Sequence, residues 1–153
     1  MTRNPAVLTA SAVLMLVAVG AVAGAADVLR NEALRGNVQA QYDLGSLYAD
    51  GGEVPQNYTE AAQWLRKAAD QGDQRAQYRL GGMYHRGRGV ALNEVEAAKW
   101  FRKAADQGDA RAQTNLGVMY AKGLGVAKNP AQAVSLFAKA AAQGHAWAQT
   151  NLA

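Results

Sequence analysis

Apolar residues mark out helical stripes that return along the chain at a fixed interval. Ala40, Leu44, Leu47 and Tyr48 fall at i, i+4, i+7 and i+8, one face of a 3.6-residue helix, and Ala76, Leu80, Met83 and Tyr84 repeat that stripe 36 residues later. A second stripe, Ala61, Trp64, Leu65, Ala68 and Ala69, lies within the same interval. Ala-Gln pairs at Ala40, Ala76, Ala112 and Ala148 open four copies, and fourteen of the 36 positions are identical in the first three. Self-similarity at this period signals stacked units, none of which buries its apolar face alone. The pattern therefore predicts an all-α chain built as an α-solenoid of helix-turn-helix repeats. Repeat 1 spans 40–75, repeat 2 76–111 and repeat 3 112–147, with 148–153 a truncated fourth.

Polar and glycine positions supply the punctuation. Gly87-Arg88-Gly89-Val90 and Gly123-Leu124-Gly125-Val126 end the first helix of their units, with a buried valine expected to pin the loop. Asn57 with Glu60, Asn93 with Glu96 and Asn129 with Gln132 read as capping boxes opening the second helix, and Pro130 fits the first helical position. Asp73 and Asp109 are placed to cap the next first helix. Tyrosine and tryptophan at helical spacing read as core.

These strings carry a resemblance. Ala76-Gln77-Tyr78-Arg79-Leu80-Gly81, then Tyr84, Gly87, Gly89-Val90, Asn93, Glu96-Ala97, Trp100 and Lys103-Ala104-Ala105 resemble the Sel-1-like repeat, a relative of the tetratricopeptide repeat. The resemblance covers Ala40 to Leu152. It implies a right-handed superhelix that serves as a scaffold for protein contacts, with no reaction attached. Two positions depart from the pattern: Glu53 stands where repeats 2 and 3 have Gly89 and Gly125, which predicts a shifted first loop, and Leu136 replaces the tryptophan of repeat 3.

The ends differ from the interior. Ala6 to Val22 carries no charge and is followed by Ala23-Gly24-Ala25, so residues 1–25 read as a secretory signal peptide, and the expected location is periplasmic or secreted. The alternative is an uncleaved anchor, because Pro5 to Ala26 is about long enough to span a bilayer. Residues 26–39 read as an N-terminal half-repeat cap, with Asn31, Glu32 and Arg35 on its wettable side. At the other end the fourth unit stops short, so either Leu136, Phe137 and Trp147 form a surface for a partner or for self-association, or the chain is a fragment of a longer array.

Composition narrows the function. Cleavage after Ala25 would remove only Arg3 among the charged side chains, leaving 15 basic against 12 acidic residues. So mild an excess, without clustered aromatic and basic residues, argues against nucleic acid. There is no cysteine, hence no disulfide and no thiolate chemistry. His85 and His145 lie 60 residues apart outside any metal-ligand spacing, and neither Ser46 nor Ser135 sits in a nucleophile motif. Glu94 and Glu96 flank a helix start, where they suit the dipole better than acid-base work. No catalytic residue, cofactor or metal is expected. A cell-wall hydrolase and a membrane-anchored assembly factor are the alternatives to a binding scaffold.

What remains is a second stripe on each first helix, which faces the concave side under the curvature the resemblance implies. Repeat 2 places Arg75, Tyr78, Arg79, Gly82, His85 and Arg86 there, and repeat 3 Arg111, Thr114, Asn115, Val118 and Lys122. Repeat 1 has Gln39, Tyr42, Asp43, Ser46 and Asp50, so the stripe runs from acidic to basic. Arg and Tyr are favoured at interface hot spots. The expected partner is a protein or peptide with an acidic segment, held by Arg75, Tyr78, Arg79, His85, Arg86, Arg111, Asn115 and Lys122. Lys67, Lys103 and Lys139 mark the opposite face, expected to tolerate charge reversal without loss of binding.

Overall fold

The computed structural model describes residues 22–152, and among these every regular element is an α-helix. In chain order they are α1 (Val22–Leu34), α2 (Val38–Asp50), α3 (Tyr58–Asp70), α4 (Gln74–Arg86), α5 (Glu94–Asp106), α6 (Ala110–Lys122), α7 (Pro130–Ala142) and α8 (Ala146–Leu152). Each packs against the helix before and after it, which makes a right-handed α-solenoid. Most of the segment read as a signal peptide lies outside the described residues. No described helix is long and apolar enough to cross a membrane.

Side-chain caps start the helices at the expected places. Asn37, Asp73 and Asp109 accept from the backbone N–H of Ala40, Ala76 and Ala112, while Asn57, Asn93 and Asn129 accept from Glu60, Glu96 and Gln132. The reciprocal half of the capping box does not form. The Asn57, Asn93 and Asn129 N–H groups donate instead to the carbonyls of Tyr48, Tyr84 and Tyr120, tying the start of each second helix to the first. A tertiary bond has taken the donor that a local box would have used.

The loops separate repeat 1 from the others. Gly87 and Gly123 close α4 and α6 in the left-handed region, and Gly89 and Gly125 also have positive φ. A Cβ at Gly89 would overlap the Tyr58 carbonyl of the preceding unit, so this glycine is needed for contact between units as well as for its dihedral. In the first loop the positive φ values fall on Gly51 and Gly52, and Glu53 is not among them. The loop is displaced as its composition foretells. Val54, Val90 and Val126 are half-buried rather than buried, because they rest on the edge of the core.

The core is continuous along the stack. Trp64 packs with Ala33, Ala40 and Leu44, so it joins α1, α2 and α3; Trp100 packs with Leu65, Ala76 and Leu80, joining α3, α4 and α5. Within each helical pair Gly45, Gly81 and Gly117 lie so close to Leu65, Phe101 and Phe137 that a Cβ would stand 2.6–2.8 Å from the neighbouring side chain. Leu136 and Phe137, expected to be partly uncovered, are each only 6% exposed. Helix α8 packs on α7, while Val134 on α7 is left exposed where its counterparts Ala62 and Ala98 are buried. The burial of Leu136 and Phe137 removes both from the surface expected for self-association; the Trp147 side chain lies outside the described residues.

A polar ladder runs beside the core. Buried Gln41, Gln77 and Gln113 donate to the carbonyls of Ala33, Ala69 and Ala105. Their Oε1 atoms accept from Gln71, Gln107 and Gln143 at 2.8, 2.7 and 3.0 Å. Gln71 and Gln107 bridge further to the carbonyls of Gly36 and Gly72. These glutamines recur in every copy because a buried amide is tolerated only when its donor and acceptor are both satisfied. Tyr48, Tyr84 and Tyr120 are half-buried rather than core, since their hydroxyls accept from Arg30, Arg66 and Arg102 at the surface.

Candidate functional site

The first helices α2, α4 and α6 carry the candidate site. Two adjoining depressions lie on them. One, of about 430 Å³, runs from Ala49 and Asp50 across Tyr78, Arg79, Gly82 and Met83 to Arg86 and Asn115. The other, of about 510 Å³, is floored by Phe101, Met119 and Leu124 and edged by His85, Arg111, Thr114 and His145. Tyr78, Arg86 and Asn115 border both. Of the residues singled out in the sequence, Tyr78, Arg79, His85, Arg86, Arg111 and Asn115 are brought together here, whereas Arg75 and Lys122 line neither depression.

The charges are arranged differently from the expected gradient. Arg75 donates to Asp73 at 2.6 Å and to Gln39 at 2.8 Å, and its guanidinium lies 4.1 Å from the centre of the Tyr42 ring. Arg111 repeats this one unit later, with Asp109 at 2.7 Å and the Tyr78 ring at 4.3 Å. Arg79 pairs with Asp50 of the preceding unit at 3.3 Å. His85 Nδ1 lies 2.8 Å from Glu94. Arg79 is thus paired with the acidic part of the stripe on the preceding helix, whereas Arg75 and Arg111 are paired locally with the N-cap aspartates of their own helices.

Local electrostatics follow from these pairs. The hydrogen bond to Asp73 raises the Arg75 pKa above its ordinary value against the effect of burial, and Asp109 does the same for Arg111. Burial pushes the Asp109 carboxyl up, but the hydrogen bonds from Arg111 and from the Ala112 and Arg111 backbone outweigh it and hold the group below the usual carboxylate range. Among the described residues, Arg86 has no ion-pair or hydrogen-bond partner, and Arg88 has only the face of Tyr58 at 5.6 Å.

Two features escaped the sequence reading. The Asp-x-Arg spacing of Asp73 with Arg75 and Asp109 with Arg111 recurs at the repeat interval and would have revealed the self-pairing. The lysine face also takes part in packing. Lys67 and Lys103 lie 4.3 and 4.4 Å from the ring centres of Trp64 and Trp100, so their charges belong to the packing of the second helices. Among the described residues no cluster of three His, Cys, Asp or Glu side chains could hold a metal ion.

Stacked helical pairs with adjoining depressions on their first helices define an α-solenoid repeat protein. A profile described as the Sel1 repeat matches residues 38–73, 74–109 and 110–145, and the chain belongs to that family. The matched spans begin with α2, α4 and α6, two residues ahead of the Ala-Gln pairs. Among solved structures, the chain is 41% identical to a protective antigen present in uropathogenic Escherichia coli strains displaying an SLR fold, with a TM-score of 0.83; the match covers 86% of this chain and 28% of that one. A Sel1 repeat protein from Oxalobacter formigenes is 44% identical over 81% of this chain and 93% of its own, with a TM-score of 0.74. Helicobacter pylori cysteine rich protein B is 26% identical over 83% of this chain and 96% of its own, with a TM-score of 0.65. No curated protein matches the chain. Sel1 repeat proteins are generally scaffolds for protein interaction and typically non-catalytic.

Proposed function

We propose that this protein is an exported, non-enzymatic adaptor that holds a protein or peptide segment along the first-helix groove. The observation that carries the reading is the pair of adjoining depressions on α4 and α6, joined by Tyr78, Arg86 and Asn115. A flat aromatic, an unpaired guanidinium and a side-chain amide on rigid helices supply contact area and directional hydrogen bonds with little ordering cost. The partner is expected to present acidic groups, and binding to weaken with salt, since partly exposed charges are screened over roughly 8 Å at physiological ionic strength. Export rests on the apolar N-terminal segment and its small-residue cleavage pattern.

A photo-crosslinking residue placed at Asn115 or, in a second variant, at Gln63 on an exposed second helix tests the site in a bacterial host. A protein adduct from the groove position and none from Gln63 is the expected outcome. The reverse pattern would overturn the assignment. Intact mass of the recovered protein separates cleavage after Ala25 from a retained anchor.

A further inference from the structure

Resting on that groove reading, we propose that the site selects an extended peptide in which one carboxylate is flanked on both sides by large apolar side chains, and that Gly82 sets this choice by seating Arg86. Four arginines from the first helices line or adjoin the groove, and three are satisfied internally: Arg75 by Asp73, Arg79 by Asp50 and Arg111 by Asp109. A guanidinium already paired has part of its charge and donor set committed, and must share or give up that carboxylate to take another. Arg86 is unpaired among the described residues, and it borders both depressions. The cations left to recognise an acid are therefore Arg86, at the point where the two depressions meet, and Arg88, which lines the first and has only the Tyr58 ring.

On either side of that point the depressions offer apolar patches, in the first beside Asp50, Gln56 and Arg88. Tyr58 and Met83 line one depression, and Val118 and Leu124 the other. In an extended peptide alternate side chains share one face, so residues i, i+2 and i+4 can present an apolar group, an acid and an apolar group to this surface together.

Gly82 explains why the guanidinium lies there. It occupies the interior of α4, where glycine is among the least favourable residues, and no neighbouring helix requires it. A Cβ at this position would meet one atom within 4 Å, Nη1 of Arg86 at 3.1 Å. The corresponding residues of the neighbouring units are Ser46 and Val118, so only the middle unit leaves this space.

Panning the full chain against a random dodecapeptide library displayed on phage tests the proposal, followed by anisotropy titrations of fluorescein-labelled synthetic copies of the enriched peptides. The expected peptides carry Asp or Glu with apolar residues two positions to either side. Arg86→Gln weakens their binding about tenfold or more, the scale of a lost charge-assisted hydrogen bond. Gly82→Val weakens it in the same direction with helical circular dichroism retained, and changing the peptide's acid to its amide removes the difference between variants. Enriched peptides without an acid, or with equal affinity for wild type and Arg86→Gln, would overturn the inference but leave the groove reading standing if Tyr78→Ala still weakens them. Failure to enrich any peptide sensitive to Tyr78→Ala would sink both.

Discussion

Helices α5 and α7 occupy equivalent places in successive units and bury the same position, yet they do so with different chemistry. Trp100 and Leu136 are 5% and 6% exposed, each inserted against the unit before it. Around Trp100 sit Lys103 over the ring face, Arg66 at 5.8 Å from the ring centre, and the Arg66 bond to Tyr84. One unit later the counterpart of Arg66 is Arg102, which makes the same bond to Tyr120, but Leu136 offers no ring to either cation and Lys139 has no ring beneath it among the described residues. The exchange is tolerated for a specific reason. The indole N–H of Trp100, like that of Trp64, has no hydrogen-bond partner, so leucine at this place leaves no acceptor unsatisfied. The repeat demands apolar volume there, and the cations are an addition.

The largest effect should come from removing that volume where it is greatest. Trp100→Ala is expected to cost roughly 3 to 5 kcal/mol, a large part of a small domain's stability. Leu136→Ala should cost about 2 to 4 kcal/mol, because a smaller side chain leaves a smaller cavity. Urea denaturation of both variants checks the order. A Trp100→Ala protein as stable as wild type would mean that the stack does not lean on this contact.

Next comes the amide ladder. Gln77→Leu keeps the volume but takes one partner each from the Gln107 amide, which retains the Gly72 carbonyl, and from the Ala69 carbonyl, which retains the Gly72 N–H, at about 0.5 to 1.5 kcal/mol. Pairing it with Gln107→Leu should recover part of the loss, and a double-mutant cycle measures how much. Full additivity would show the two amides to be independent.

Asp109 should make stability depend on acid. Its folded pKa is depressed, so its contribution is present above the ordinary carboxylate value and is lost as pH falls through the lower folded value. Asp109→Asn keeps an N-cap acceptor but removes the charge, and should flatten the acid limb of a stability-pH profile. An unchanged limb would assign the acid sensitivity to other carboxylates.

The smallest expected effect returns to the two helices. Lys103→Glu removes a cation from an aromatic face, worth about 0.5 to 1 kcal/mol at an exposed site, whereas Lys139→Glu should lie near zero. Equal effects on the melting temperature would show that the lysine over Trp100 contributes no more than its solvated counterpart.

Much of this architecture was legible because each copy of the repeat is an independent statement of the same constraints. Recurrence of Asn93 and Asn129, or of Gly87 and Gly123, reports local backbone needs that do not depend on distant partners. Helix ends, element order and the solenoid class follow from such needs, and so did the loop shift at Gly52 and Glu53. Side-chain pairing does not. Whether Arg79 is free or bound depends on Asp50, 29 residues away, and whether Tyr84 is core or rim depends on Arg66. The sequence by itself determined that these units stack, since helical periodicity and a fixed interval leave no other way to bury the stripe. Only the tertiary structure decided which charges the stack consumes, because Coulomb and hydrogen-bond energies depend on separations of a few ångströms that the repeat interval does not specify. It is that geometry which leaves Arg86 and Arg88 as groove cations without a carboxylate partner among the described residues.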